Sequence, residues 1–101
     1  MSITVEINGT VANINLSGGI DHATREEFKR ANSQVLSTDS VREIHVNFAE
    51  TTFLDSSGIR ALITLQREAD ASDRSLTLFN CNETMREVFE IGGFDKVFTF
   101  Q

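Results

Sequence analysis

The sequence EIHVNFAETTFLDSSGIRALITLQREADA, residues 43–71, holds a strand pattern followed by a helix pattern. Apolar and polar residues alternate over residues 44–48, and this two-residue period predicts a half-buried strand. The later apolar residues recur at helical spacing, which predicts a helix from about Ser56 to Ala71. We expect a loop over residues 49–55 between the two elements. The predicted inner face of the helix comprises Ile59, Leu62, Ile63, Gln66 and Ala69.

The sequence before this unit predicts a hairpin and a helix. Alternating apolar residues predict two strands, over residues 3–7 and 10–16, and Asn8-Gly9 is typical of a two-residue hairpin turn. A helix is predicted from about His22 to Leu36, with Asp21 or Thr24 as its N-cap. Thr24 and Glu27 also have the spacing of a capping box.

The sequence after residue 71 predicts a strand, a short helix and a last strand. Leu76 and Leu78 indicate the fourth strand, and Asn82 is typical of the cap of a third helix that Gly92-Gly93 ends. Residues 97–100 predict a short final strand. The helix is expected to carry Met85, Val88 and Phe89.

This order predicts an α/β fold with a mixed sheet. The N-terminal hairpin is antiparallel, and the alternating strands and helices that follow favour parallel βα units. A parallel sheet covered on both faces has continuous apolar strands, whereas residues 3–7 and 44–48 alternate cleanly. We therefore expect helices mainly on one face. A chain of 101 residues can bury roughly 65% of its unfolded surface, enough for a single domain spanning residues 1–101.

Charge and composition narrow the classes of partner. The chain has 15 acidic and nine basic residues and a formal net charge of −6, which disfavours binding to nucleic acid or to an anionic membrane. No apolar run approaches the ~20 residues of a membrane span, and the N-terminus lacks the pattern of a secretory signal. One cysteine permits no intrachain disulfide, so a reducing cytoplasm is expected.

The segment Asp55-Ser56-Ser57-Gly58 is the candidate functional motif. One interpretation is a helix-capping cluster, because a hydroxyl or carboxylate at this place satisfies a backbone N–H. The other is a serine that accepts a phosphoryl group, whose charge the helix N-terminus would hold. Asp55 would oppose the added charge, and so would Asp21 if its loop lies nearby.

In this context the motif resembles the signature of STAS-domain proteins of the anti-sigma-factor antagonist type. Residues 17–24, SGGIDHAT, match the family's early Gly-x-(Leu or Ile)-Asp-x-x-Thr segment. Residues 44–48 match the strand before the signature, and residues 89–100 resemble the closing helix and strand. The resemblance covers essentially the whole chain and implies a STAS-like fold.

The resemblance implies a binding protein and not an enzyme. In that bacterial family, a partner anti-sigma factor that is a GHKL-type serine kinase phosphorylates the antagonist, and a PP2C-type phosphatase reverses the step. The unmodified antagonist binds the anti-sigma factor and frees its target. The acceptor maps to Ser56. The implied partner-binding residues are Asp21, Asp55, Ser56, Ser57, Gly58 and Arg60.

One departure from the family pattern concerns the partner. The family often continues with small or apolar residues after the glycine, whereas here Ile59 and Arg60 follow. Arg60 lies one helical turn beyond Ser56, where it could pair with phosphate or an acidic partner. Some STAS proteins bind secretion regulators or transporter ATPases. A STAS subunit that binds such a non-sigma target, with or without phosphorylation, therefore stays open as the alternative.

Other kinds of site have weaker support. A hydrolytic Ser56 would need a base, and the two histidines, His22 and His45, are expected at a helix start and on a polar strand face. No Gly-x-Ser-x-Gly motif occurs, and we expect neither a metal nor a cofactor. Cys81 is expected to be a small semi-buried residue.

The phenylalanines are expected mainly in the core, and those at the C-terminus could alternatively form a partner patch. The expected core members are Phe28, Phe48, Phe53, Phe89 and Phe94. The candidates for the patch are Phe94, Phe98 and Phe100.

Overall fold

The computed structural model describes residues 2–101 as five strands and three helices. In chain order they are β1 (Ser2–Asn8), β2 (Val11–Ile20), α1 (Arg25–Leu36), β3 (Glu43–Leu54), α2 (Ser56–Ala71), β4 (Ser75–Phe79), α3 (Glu83–Ile91) and β5 (Thr99–Phe100).

The five strands form one mixed sheet in the order β1-β2-β3-β4-β5. The hairpin of β1 and β2 is antiparallel, and every later neighbouring pair is parallel. Helices α1, α2 and α3 connect the parallel strands. The predicted fold class, an antiparallel hairpin followed by parallel βα units, is confirmed.

The core lies on one face of this sheet. Its strand side chains come from alternate positions, such as Ile14 in β2 and Val46 in β3, and all three helices add residues to the same cluster. The opposite face carries half-buried polar residues, among them Asn13 and His45. The strand alternation therefore correctly predicted helices on one face and partial solvation on the other.

Strand β3 is longer than predicted, and the expected loop over residues 49–55 is wrong. The strand runs to Leu54 because β2 also continues, to Ile20, and pairs with it in parallel. Two register shifts interrupt this second half of the pairing, between Asn15 and Ser17 and between Gly18 and Gly19. Backbone pairing does not depend on apolar side chains, so the polar composition hid this part of the strand.

Several predicted ends also shift. The hairpin turn is Gly9-Thr10, because Asn8 pairs with Val11, and Gly9 has φ +62°, as the first position of a type II′ turn requires. Helix α1 begins at Arg25 and β5 begins at Thr99, and both starts are later than expected.

Within residues 2–101, no helix is both long and apolar enough to cross a membrane.

Candidate functional site

The candidate site lies at the carboxyl ends of β2 and β3. Ile20 and Leu54 are partners in the parallel register, and the Asp55 N–H donates to the Ile20 carbonyl at 3.1 Å. Asp21 follows Ile20 directly. The structure thus brings the Asp21 loop and the Asp55 motif, which are far apart in sequence, to the same edge of the sheet.

Asp55, rather than a serine, is the N-cap of α2. Its backbone is extended (φ −90°, ψ −177°), and its Oδ1 accepts the Gly58 N–H at 3.1 Å. The Asp55 carbonyl also accepts the first helical N–H, from Ile59, at 3.0 Å. Ser56 is therefore the first residue inside the helix, and the capping role falls to the carboxylate before it.

The two serines of the motif have different surroundings. Ser56 is exposed at the first helical position, whereas Ser57 is half-buried and faces the cleft between α1 and α2. Arg60 is exposed one turn further along and lines the same cleft as Ser57. Of the two hydroxyls, that of Ser56 is the more accessible to another protein.

Gly58 allows the first turn of α2 to lie against the ends of both strands. A Cβ built on Gly58 would overlap the Leu54 Cδ1 atom and stand 3.0 Å from the Ile20 Cγ2 atom. A larger residue would require either the Leu54 side chain to rotate or the helix start to move away from the sheet. The glycine of the motif thus lets the first turn of α2 lie close to Leu54 and Ile20.

Asp21 forms a closed turn with Thr24. The Asp21 N–H donates to the Thr24 Oγ1 at 3.0 Å, and the Asp21 Oδ1 accepts the Thr24 N–H at 3.1 Å. The Thr24 hydroxyl lies 3.1 Å from the same carboxylate oxygen. Thr24 is the N-cap residue of α1 without a side-chain cap bond, so the predicted capping box with Glu27 does not form.

An apolar cleft, which the sequence did not predict, lies beside the site. Phe53 was expected in the core, but it is 49% exposed. Its ring lies over Gly19, where a Cβ would overlap it, and it lines a cleft together with Leu54 and with Val88 of α3, which is 40% exposed. Thr52 precedes Phe53 and Leu54 follows it, so the neighbouring residues gave no signal of this exposure. The ring is positioned by Gly19 of β2, which is distant in sequence.

The C-terminal phenylalanines are mostly internal. Phe98 is buried, and Phe94 and Phe100 pack against the core as partly buried side chains. The Phe89 ring lies 5.5 Å from both the Phe98 and the Phe100 ring centroids. These contacts leave Phe53, rather than the C-terminal set, as the exposed aromatic residue next to the motif.

The other titratable residues lie in different settings. His45 is near the start of β3, about 30 Å along the strand from Ser56. The His45 ring stacks on Phe79 with ring centroids 4.7 Å apart, and the His45 Nε2 lies 3.8 Å from the Glu43 carboxylate.

Burial raises the pKa of the Cys81 thiol to about 11, and the charge of Arg86 opposes this shift. Within residues 2–101 no three His, Cys, Asp or Glu side chains cluster as metal ligands.

A family model described as "Mlab, STAS domain" matches residues 3–99. A STAS-domain containing protein of Pseudomonas aeruginosa (strain UCBPP-PA14) is 28% identical over 100 residues, which are 97% of each chain. The anti-sigma F factor antagonist of Lysinibacillus sphaericus is 32% identical over 80 residues, 79% of this chain and 68% of that one.

Solved structures agree with the sequence relatives. The anti-sigma factor antagonist SpoIIAA in its unphosphorylated form is 28% identical, with a TM-score of 0.79 over 99% of this chain and 87% of that chain. The phosphorylated form of the Bacillus cell fate determinant SpoIIAA gives a TM-score of 0.78 at the same identity, over 99% and 91%. The chain therefore belongs to the STAS-domain family and, within it, to the group of anti-sigma factor antagonists.

Proposed function

We propose that this protein is a phosphorylation-controlled anti-sigma factor antagonist that acts in the cytoplasm as a single STAS domain over residues 1–101. The observation that carries the proposal is the position of Ser56. Its hydroxyl is exposed at the first position of α2, and Asp55 supplies the cap that a serine there would otherwise provide. A kinase can reach Ser56 without opening the helix.

The modification is a phosphoryl transfer to the Ser56 Oγ. A GHKL-type serine kinase, which is also the anti-sigma factor, binds ATP as the phosphoryl donor. The Ser56 Oγ forms a bond to the γ-phosphorus, and the bond from that phosphorus to the bridging oxygen breaks. ADP leaves, and the hydroxyl proton passes to the kinase. A PP2C-type phosphatase later transfers the phosphoryl group to water and releases inorganic phosphate. The antagonist contributes only the hydroxyl and its surroundings, so it performs no catalysis itself.

The expected effect of the phosphate is electrostatic. It would add a charge of about −1.5 to −2 beside Asp55 and the Asp21 loop. The unmodified surface, formed by Asp21, Asp55, Ser56, Ser57, Gly58 and Arg60, binds the anti-sigma factor, and the added charge opposes acidic groups on that partner. The helix N-terminus tolerates the charge, so the fold is kept. The nearly equal TM-scores to the two forms of SpoIIAA support a switch that leaves the fold unchanged.

Phosphopeptide mapping after incubation with ATP and a GHKL-type kinase from the same bacterium tests the acceptor. We expect phosphate on Ser56 in the wild type and in Ser57→Ala, and none in Ser56→Ala. Ser57→Ala is the matched control because it removes the neighbouring hydroxyl from the same turn. Phosphate on Ser57 alone, or on neither serine, would contradict the proposal.

Capture of the binding partner separates the main proposal from its alternative. The unphosphorylated protein should retain a kinase of the anti-sigma type. Retention of a secretion regulator or a transporter ATPase instead would favour a STAS subunit with a non-sigma target. Neighbouring genes for a GHKL-type kinase and a PP2C-type phosphatase would support the first assignment.

A further inference from the structure

A cleft of about 160 Å³ runs between α1 and α2 on the side of the motif that Ser57 faces. One stripe of each helix lines it, because the lining residues recur at spacings of three, four and seven. Both helices leave the carboxyl edge of the sheet, so their N-terminal ends lie at the same end of the cleft. The lining of this cleft includes Arg25, Lys29, Asn32, Ser57, Arg60 and Glu68.

Three cations gather at the N-terminal end of the cleft. Arg25 and Lys29 come from the first turns of α1, and Arg60 comes from the second turn of α2. They are three of only nine basic residues in a chain of net charge −6, so the cluster stands out against the rest of the surface. The N-terminal ends of the two helix dipoles add to the positive potential there.

The acidic groups around the cluster only partly offset it. Glu26 lies outside the cleft lining, 3.4 Å from the Arg25 guanidinium and 4.0 Å from the Lys29 ammonium. Glu68 lines the cleft two turns beyond Arg60, at the other end of the α2 stripe. The Arg25 Nε is buried and has no hydrogen-bond partner within residues 2–101.

Asn32 adds a polar group that the protein leaves unsatisfied. The residue lines the cleft, is only 6% exposed, and its Oδ1 is buried without a hydrogen-bond partner among the described residues. Such a group costs free energy unless something donates to it. A ligand hydroxyl in the cleft would supply that donor.

We propose that this cleft is a binding site for a small phosphate monoester that carries a hydroxyl group. Arg25, Lys29 and Arg60 hold the phosphate, in the way that guanidinium groups bind phosphate oxygens with paired N–H donors. The hydroxyl donates to the Asn32 Oδ1. The site is distinct from the Ser56 hydroxyl and needs neither a kinase nor an anti-sigma factor, so it can be tested apart from the proposed function.

Backbone NMR titration of the full chain tests the site with three probes. They are glycerol 3-phosphate, inorganic phosphate and glycerol. We expect saturable shifts along the α1 and α2 stripes with glycerol 3-phosphate, weaker binding of inorganic phosphate, and none of glycerol. Arg60→Gln should lower the affinity for glycerol 3-phosphate and for inorganic phosphate by about tenfold or more, because a charged hydrogen bond is lost. Arg67→Gln is the matched control, since it removes an exposed arginine of the same helix outside the cleft.

Asn32→Leu tests the hydroxyl contact separately. It removes the unsatisfied Asn32 Oδ1 at similar side-chain volume. The preference for glycerol 3-phosphate over inorganic phosphate should then disappear, while phosphate binding persists. The proposal is overturned if no probe gives saturable shifts at millimolar concentration. It is also overturned if Arg67→Gln lowers the affinity for the two anions as much as Arg60→Gln does, because binding would then depend on net charge alone.

Discussion

The Asp55 carboxylate accepts the backbone N–H of Gly58 at 3.1 Å, so the residue before Ser56 closes the first turn of α2. The same Gly58 brings that turn against Leu54 and Ile20, the last residues of two neighbouring strands. One residue of the motif thus caps the helix, another sets its distance from the sheet, and Ser56 between them stays exposed. This division of roles allows the Ser56 hydroxyl to be modified without loss of the cap.

Charge at Ser56 should control partner binding. Ser56→Ala should bind the anti-sigma factor persistently, and Ser56→Asp should bind it about 5- to 30-fold more weakly, because one carboxylate imitates phosphate incompletely. Full phosphorylation, at a loss of about 3 kcal/mol, weakens binding roughly 150-fold. Calorimetry measures these affinities. Ser40→Asp adds the same charge in an exposed turn before β3, at the opposite edge of the sheet, and should have no effect. Equal affinities of the two Ser56 variants would argue against the switch.

Phosphorylation should change the structure only locally. The core side chains of α2 are buried whereas Ser56 is exposed, so nothing in the core has to repack. Backbone NMR shifts of the two forms should differ in residues 21–24 and 53–60 and agree in the core positions of β3 and β4. Widespread shifts through Val46 and Leu78 would instead indicate a rearrangement of the sheet.

Gly58→Ala should destabilise the fold. The new Cβ meets Leu54 and Ile20, and such overpacking typically costs about 1–3 kcal/mol. The gain in helix propensity offsets about 1 kcal/mol of this cost. We expect a net loss of about 1 kcal/mol in the free energy of unfolding, measured with urea. Ser57→Ala changes the adjacent helical position without that contact and should be close to neutral. A more stable Gly58→Ala would show that the helix start can move away from the strands.

Phe53→Ser should weaken partner binding more than it weakens the fold. The ring is 49% exposed beside the motif, so its removal should cost about 1 kcal/mol or less of stability. As an aromatic anchor for the anti-sigma factor, it should contribute about 2 kcal/mol to binding, roughly 30-fold in affinity. Val97→Ser, at 44% exposure, is the matched control. If both variants bind equally well, the apolar cleft lies outside the interface.

Cys81 should react slowly with alkylating reagents. Burial raises the pKa of its thiol from 9.0 to about 11, so at about pH 8 the thiolate is roughly 100-fold scarcer than in the unfolded chain. Mass spectrometry should show slow modification by iodoacetamide in buffer and fast modification in urea. The buried neutral thiol also contributes to stability below pH 9.0, and this contribution falls as the pH rises toward 11. Equal alkylation rates in the two solvents would contradict this environment.

Local patterns in the sequence determined most of the elements and the motif. The alternation in residues 44–48 identified a one-sided sheet, the helical spacing gave α2 its observed bounds, and Asn82 caps α3 through its contact with the Met85 N–H at 2.8 Å. These features depend on residues that are close together in sequence, so helix propensity and hydrophobic periodicity predict them. The Asp55-Ser56-Ser57-Gly58 motif was visible for the same reason.

Tertiary contacts decided the rest, because they depend on residues that are distant in sequence. The second half of β3 forms only because Gly19 and Ile20 of β2 lie alongside it, and the same pairing places the exposed Phe53 ring over Gly19. The distance between the Asp21 loop and Ser56 follows from that register. Likewise, Arg25 and Arg60 line the same cleft because α1 and α2 pack side by side on one face of the sheet. The sequence pattern of either helix alone does not predict which helix packs beside it.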